Sequence, residues 1–429
     1  MWPWILTTSI VVAVVALLAQ NPANDDDNDL SNKPRRPWKK KQQRSNVYVI
    51  GDLHGDAHCA KHWILKTGLV KEAKNAKQHE NPSAFSWTWT GSHHDQLVFL
   101  GDYLDKGPTS RQTMELVQSL TQHFPQHVTA LMGNHEMELL LDRDPRRHDV
   151  WGGAAYFQMA WSSVHPGEYL NYPSNNTNET NKDTIVSEED KLLVDALYNA
   201  SIEVYGYEQE RNVVFQTSPS GNRGSIIDFL PLELRDLARQ KLPLYQQHYL
   251  DAFRSGSPLG EWLEQRPVVA LIDGTLFTHG GISTQAAPYI QTPELMKQLN
   301  HALAAHAADD PLYEFVQGTR TGRVVYDLLT HRGNHQAGAC AYLQHLLPDG
   351  AQRLIVGHTP DDSVRVGCQG QFVAADSALG RWFRNSGNDY CPGQRRQQSL
   401  NGHYTCHAMN EACEGQIVLI TNGQVTVIA

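Results

Sequence analysis

Asn46-Val47-Tyr48-Val49-Ile50 is a short apolar run that passes without a break into Gly51-Asp52-Leu53-His54-Gly55-Asp56. The run has the length of a buried strand, and the residues after it belong to a tight turn. The same pattern recurs along the chain. Leu97 to Leu100 leads into Gly101-Asp102-Tyr103-Leu104-Asp105-Lys106-Gly107-Pro108, and Val128 to Met132 leads into Gly133-Asn134-His135-Glu136. Further on, Leu276 to Thr278 leads into His279-Gly280-Gly281-Ile282, and Arg353 to Val356 into Gly357-His358-Thr359-Pro360. Each apolar run ends in glycine together with Asp, Asn or His. Glycine lets the backbone turn sharply and approach a ligand closely. Because ligands bind outside the carboxyl ends of strands in an α/β sheet, these side chains are expected to meet in one crevice.

Asp52, His54, Asp102, Asn134, His279 and His358 form a mixed oxygen and imidazole set without thiolate, which suits Mn, Fe, Zn or Mg. The set is large enough for two adjacent divalent cations, with Asp102 able to bridge them. Such a pair, about 3.5 to 4 Å apart, acidifies a shared water and clamps the oxygens of a phosphoryl group during in-line attack, so hydroxide is the expected nucleophile. His135, beside Asn134 and outside the ligand set, is then expected to protonate the leaving oxygen, with Asp105 holding its tautomer. A single G-D-x-H is ordinary turn chemistry, but five such turns on strand ends are not. His58, His62, His93 and His94 lie near these turns without fitting the pattern and read as surface or loop histidines.

The motifs GDLHGD, GDYLDKGP, GNHE, HGGI and GHTP, in this order between residue 46 and about 380, resemble those of the calcineurin-like metallophosphoesterases, and in particular of the phosphoprotein phosphatase superfamily. The chain looks most like the Shewanella-like protein phosphatases, on three features: the Trp-rich lead-in Trp87 to Gly91, the long insert between GNHE and HGGI, and the GHTP form of the last motif. The resemblance implies a β-sandwich flanked by helices. It also implies that Asp52, His54 and Asp102 hold one metal, that Asp102, Asn134, His279 and His358 hold the other, and that Mn is the expected ion. His135 matches the family's general acid and Asp105 its partner.

Lys106, Asn134 and Arg332 are the expected phosphate-binding residues, with Arg320 and Arg323 as alternatives to Arg332. Lys106 stands where the protein phosphatases usually carry arginine, and it resembles the diadenosine-tetraphosphatase-like members in this. Lysine meets a phosphate as a point charge and lacks the planar fork of arginine. The expected activity is therefore metal-dependent hydrolysis of a phosphomonoester, on phosphoprotein or a small phosphorylated substrate. A dinucleoside polyphosphate hydrolase is the alternative, and an inactive, membrane-tethered binding protein on the same scaffold is a third reading.

The rest of the 429-residue chain frames this core; 40% of its residues are hydrophobic and 19% charged, which fits a folded globular protein. With Lys+Arg 36 against Asp+Glu 46, the net charge of -10 argues against nucleic acid as a partner. Residues 3–19 are apolar and uncharged, so 1–20 read as a signal peptide or a signal anchor and 21–45 as a charged linker. Basic residues from Lys33 to Arg44 argue for a cytoplasmic linker. Sequons at Asn175, Asn178 and Asn199 argue for an extracytoplasmic domain, the expected location. In an oxidising compartment the six cysteines are expected to form two disulfides near the C-terminus, and in the cytosol none.

Residues 46–429 read as the catalytic domain, interrupted at 143–266 by a helical cap. Ser187 to Val204 and Pro231 to Phe253 show helical spacing, with Leu192, Leu193, Ala196 and Leu197, then Leu232, Leu234, Leu237, Leu242 and Leu244, as the apolar positions. Tyr172 to Glu189 reads as a surface loop, and Trp151, Tyr156, Phe157 and Trp161 as either mouth or core. Gln371 to Ala375 reads as a strand ending at Asp376, expected behind the metal ligands, and Gln416 to Ile428 as a hairpin around Asn422-Gly423.

Overall fold

The computed structural model describes residues 45–73, 86–143, 164–172, 187–197, 200, 227, 230–309, 312–382, 394–398, 404–408 and 412–429. The proposed signal or anchor at 1–20, the linker up to residue 44, the three sequons, Trp151, Tyr156, Phe157 and Trp161 lie outside these residues. So does the loop expected after Tyr172, apart from its last few residues. Among the described residues no helix is long and apolar enough to cross a membrane.

In chain order the elements begin with β1 (Asn46–Ile50), α1 (Ala57–Lys66), β2 (Val70–Glu72), β3 (Trp87–Trp89), β4 (Gln96–Phe99), α2 (Ser110–His123), β5 (Val128–Ala130) and α3 (Asn134–Leu141). A 3-10 helix over Pro166–Asn171 follows, then α4 (Leu232–Ala252), α5 (Pro258–Glu264), β6 (Val269–Ile272), β7 (Thr275–Thr278), α6 (Pro293–Asp309), α7 (Leu312–Gly318), α8 (Arg320–Thr330) and α9 (Cys340–Leu346). The remainder is β8 (Arg353–Val356), β9 (Arg365–Gly367), β10 (Phe372–Ala374), β11 (Gln394–Gln398), β12 (Tyr404–Ala408), β13 (Ile417–Thr421) and β14 (Gln424–Ile428).

Two five-stranded sheets form the centre, with orders β14-β13-β1-β4-β5 and β6-β7-β8-β10-β9. Strand alternation sends Val47, Val49 and Val98 of the first sheet and Phe277, Ile355 and Val373 of the second into one buried cluster, so the sheets pack face to face. The other face, carrying Ile50, Leu97 and Phe99, packs with Trp63 of α1 and Met114, Val117 and Leu120 of α2. Burial on both faces explains why these strands read as continuous apolar runs. The fold is the expected α/β sandwich flanked by helices.

β1, β4 and β5 are mutually parallel, as are β7, β8 and β10. Their carboxyl ends therefore point the same way within each sheet, and all five motifs start there. β6 was not expected. Its signal was Val268 to Ile272 before Asp273-Gly274, whose left-handed φ angles of 48° and 70° close the β6–β7 hairpin.

In the insert, α4 matches the expected helix, but its buried stripe runs through Leu234, Ala238, Leu242, Tyr245 and Tyr249. Leu232 and Leu244 are exposed, as is Leu192 in the helical stretch over 188–197. Leu244 follows Leu242 by two residues, which turns it to the opposite face of the helix. Cys59 bonds Cys413, and Cys340 bonds Cys368. The first of these bridges reaches from the front of the domain, so it is not confined to the C-terminal quarter.

Candidate dinuclear metal centre

The strand ends deliver their side chains to one buried junction. Asp52, His54, Asp102 and His279 are at most 3% exposed and His358 is 9% exposed, while Asn134 and His135 are half-buried. His54, Asp102, Asp105, Lys106 and His358 all adopt left-handed backbone, with φ between 44° and 72°. That conformation costs about 1 kcal/mol or more for residues other than glycine, so the surrounding contacts hold these five in place.

Those contacts are backbone clamps. His54 N donates to Asp102 O at 3.0 Å, and Gly107 N donates to His54 O at 3.1 Å, so the first two motifs lock together. Glu136 is fully buried and accepts from the amides of Gly133, Asp102, Tyr103 and Leu104 at 2.8 to 3.3 Å. The sequence pattern alone gives Glu136 no role. The second sheet joins through His358 N, which donates to Asp52 Oδ2 at 3.0 Å, and through His279 Nδ1, which lies 2.9 Å from Leu100 O.

Asp102 lies at the centre. His54 Nε2, His135 Nε2 and His279 Nε2 approach its carboxylate at 3.7, 3.9 and 3.3 Å. Asn134 Oδ1 lies 3.0 Å from His279 Nε2 and 2.7 Å from His358 Nδ1. Among the described residues, two groups have ligand atoms within 4.8 Å of one another: His54, Asp102 and His135, and Asp102, His279 and His358. The first includes His135, which the sequence pattern places outside the ligand set. Asp52 stands beside it, 3.9 Å from His54 Nε2.

The electrostatics fit divalent cations. Burial pushes the Asp52 carboxyl well above its usual range, and the negative charges of Asp376 and Asp102 push it further. Burial likewise lifts Asp376 to about 6. For Asp102 burial acts in the same sense, but His279 and His135 outweigh it and hold the group well below the usual range. Burial lowers the His54 imidazole and brings His358 to about 3, which favours the neutral form of both rings. Three buried carboxylates with neutral imidazoles at contact distance make a donor set that a cation would neutralise. Its walls are tight: a Cβ on Gly133 would lie 2.1 Å from Asp102 Oδ1, and one on Gly357 2.3 Å from Asp52 Oδ1.

His135 Nδ1 lies 2.6 Å from Asp105 Oδ2. Burial works against its charged form, but Asp102 and Asp105 prevail and raise it above the usual value. Lys106 is half-buried beside them, and burial lowers its ammonium against the pull of Asp105 and Asp102. Arg332 is exposed and donates to Thr359 Oγ1 of the GHTP turn at 3.1 Å. Of the expected arginines it is the one that bonds a motif residue: Arg320 lies over the Tyr289 ring, and Arg323 bonds Gln317 O. His58, His62 and His93 are exposed and His94 is half-buried, and none of the four belongs to either ligand group.

This sandwich and junction define a phosphoesterase domain. Residues 45–242 match the family of calcineurin-like phosphoesterases. Among curated proteins it is similar to serine/threonine-protein phosphatase SIT4 of Candida albicans, 32% identical over 22% of this chain and 24% of that one. It is similar also to a protein phosphatase 2A catalytic subunit of Dictyostelium discoideum, 32% identical over 22% of this chain and 23% of that one. The chain thus spans about a quarter of the length of these relatives. Among solved structures it is similar to a cold-active protein-tyrosine phosphatase of a psychrophilic Shewanella, with TM-score 0.42 and 14% identity, over 90% of this chain and 77% of that one.

Proposed function

We propose that this protein is a dinuclear metal-dependent phosphomonoesterase acting on phosphoprotein. The observation that carries the reading is the Asp105–His135 pair, 2.6 Å apart, set against the Asp102-centred group of histidines. Asp52, His54 and Asp102 would hold one cation, and Asp102, Asn134, His279 and His358 the other. When bound, the pair supplies an acidified water and a clamp for phosphoryl oxygens.

The remaining work belongs to side chains. Asp105 accepts a hydrogen bond from His135 Nδ1–H and, with Asp102, favours the doubly protonated imidazolium, whose Nε2–H is the acid for the departing oxygen. Lys106 and Arg332 offset the charge of the phosphate, Arg332 through a planar fork and Lys106 through a compact ammonium. Asn134 offers its amide to the same phosphate.

Lys106 also favours a second reading, hydrolysis of a dinucleoside polyphosphate, whose charge is spread along a chain and needs no single fork. The Cys59–Cys413 and Cys340–Cys368 bridges support an extracytoplasmic catalytic domain. Residues 3–19 then serve as its signal or membrane anchor, and the insert within 143–266 as a cap over the metal centre.

The test is phosphate release by the purified protein in Mn2+, with a chelator control, from phosphoseryl peptide, phosphotyrosyl peptide and diadenosine tetraphosphate in parallel. Chelator-sensitive turnover of a phosphopeptide is expected. Turnover of the dinucleotide alone would replace the first reading by the second, and turnover of none would remove both.

A further inference from the structure

Helix α2 starts two residues after the GDYLDKGP motif, yet Thr109 at its N-cap position makes no side-chain capping bond to the helix. Its hydroxyl is turned to the first motif instead, donating to Gly55 O at 2.7 Å and accepting from Ala57 N at 3.0 Å. The first amides of a helix have no partner within it and need one from elsewhere.

Glu168 provides it from the insert. This residue is fully buried in the 3-10 helix Pro166–Asn171. Its Oε2 accepts from Ser110 N and its Oε1 from Arg111 N, both at 2.8 Å. Tyr172 Oη donates to Oε1 at 2.8 Å and Asn171 Nδ2 to Oε2 at 3.1 Å, so the carboxylate is held on both sides. Burial pushes this carboxyl up to about 8, while the four donors pull it back toward the ionised form. The same segment grips the end of the motif a second time, through Asn171 Nδ2 to Pro108 O at 3.0 Å and Arg111 Nη1 to Asn171 O at 2.7 Å.

The clamped helix start reaches the reacting groups in two steps. Ser110 Oγ accepts from Asp105 N at 2.9 Å, and Asp105 Oδ2 lies 2.6 Å from His135 Nδ1. Asp105 and Lys106 are both left-handed, with φ of 72° and 65°, and hold that shape only while Ser110 stays in register.

We infer that Glu168 is a positioning residue: by capping α2 from the insert it fixes Asp105, and through Asp105 it sets the imidazole of His135 for proton transfer to the leaving group. The inference rests on the phosphomonoesterase reading. In the step concerned, a hydroxide oxygen bonds to phosphorus, the bond between phosphorus and the leaving oxygen breaks with its electron pair staying on that oxygen, and the Nε2 proton of His135 moves to it to give phosphate and the alcohol. An ester with a good leaving group needs that proton little, and one with a poor leaving group needs it fully.

The experiment measures kcat of the full chain, its Glu168→Ala variant and its Glu168→Gln variant on p-nitrophenyl phosphate and on phosphoseryl peptide, with melting temperatures read alongside. Glu168→Ala is expected to lose roughly 10- to 100-fold on the phosphoseryl peptide and less than about 3-fold on p-nitrophenyl phosphate. Glu168→Gln, which keeps one acceptor oxygen, is expected to recover part of the loss and serves as the test where the alanine variant does not fold. Equal losses on the two esters, or none on either, would overturn the positioning role while leaving the phosphatase reading intact. A parent protein inactive on both esters would overturn that reading, and this inference with it.

Discussion

Single residues in this protein carry shape as much as chemistry. Gly133 contributes no ligand, but its missing side chain is the space in which Asp102 sits: a Cβ there would lie 2.1 Å from Asp102 Oδ1 and 2.3 Å from Asp102 N. Gly133→Ala is therefore expected to lower metal content and activity with every ligand still present, at a stability cost of about 1–3 kcal/mol from overpacking. Metal analysis and thermal melting check it, and wild-type metal content would mean that the loop has room to yield. At this scale the meeting of the expected ligands at one junction was legible, because each of them adjoins a glycine at a strand end. Glu168 and Arg381 were not legible, since neither has a local pattern and each acts on a partner distant in sequence. Asp376 was expected behind the ligands and stands beside Asp52 with its charge felt there.

At the scale of elements, the GDLHGD loop is held by a segment that follows much later in the chain. Arg381 donates to Asp56 through Nε at 2.8 Å, through Nη2 at 3.0 Å and through its backbone amide at 2.9 Å. Asp56 in turn caps α1 through Cys59 N at 3.2 Å. Its side chain is 1% exposed and that of Arg381 13%. Arg381→Ala leaves this carboxylate buried without the guanidinium, so a loss of about 3–5 kcal/mol is expected in denaturant melts. Adding Asp56→Asn to the same protein should return part of it, because the charge goes with its partner; a double variant no more stable than the single would contradict the account. Strands and hairpin were readable because both follow from apolar runs bounded by glycine. The exposed face of α4 was misread because leucine spacing alone did not weigh the tyrosines, and Tyr245 and Tyr249 complete the stripe that Leu244 does not join.

For the molecule as a whole, one contribution to stability toward acid is expected from His165, ahead of the 3-10 helix in the insert. Burial holds the His165 imidazole down to about 3, from an unperturbed 6.5. Its Nδ1 accepts from Gly167 N at 3.0 Å, and its ring packs edge-on to Trp382 at 4.8 Å. A base whose folded value is depressed stabilises the fold above its unfolded value, and that contribution is lost as pH falls from about 6.5 toward 3. His165→Gln should therefore flatten the acid limb of a stability profile across that interval, and an unchanged slope would assign the limb to other groups. The pairing of two sheets face to face came from the family resemblance; strand patterns alone indicated no more than α/β. The Cys59–Cys413 bridge was unreadable because its cysteines are separated by 354 residues.

The place of β1 in its sheet has a consequence for how the protein is made. Its neighbours are β4 on one side and β13 on the other, with Asn46 opposite Thr421. On a ribosome adding roughly 5–20 residues per second, the 375 residues between those partners take roughly 20 to 75 seconds to appear. For that interval the first strand to emerge has an open flank, and the nascent chain cannot complete the sheet that carries GDLHGD. The GDLHGD loop, although it is made early, is thus among the last parts of the junction to be finished.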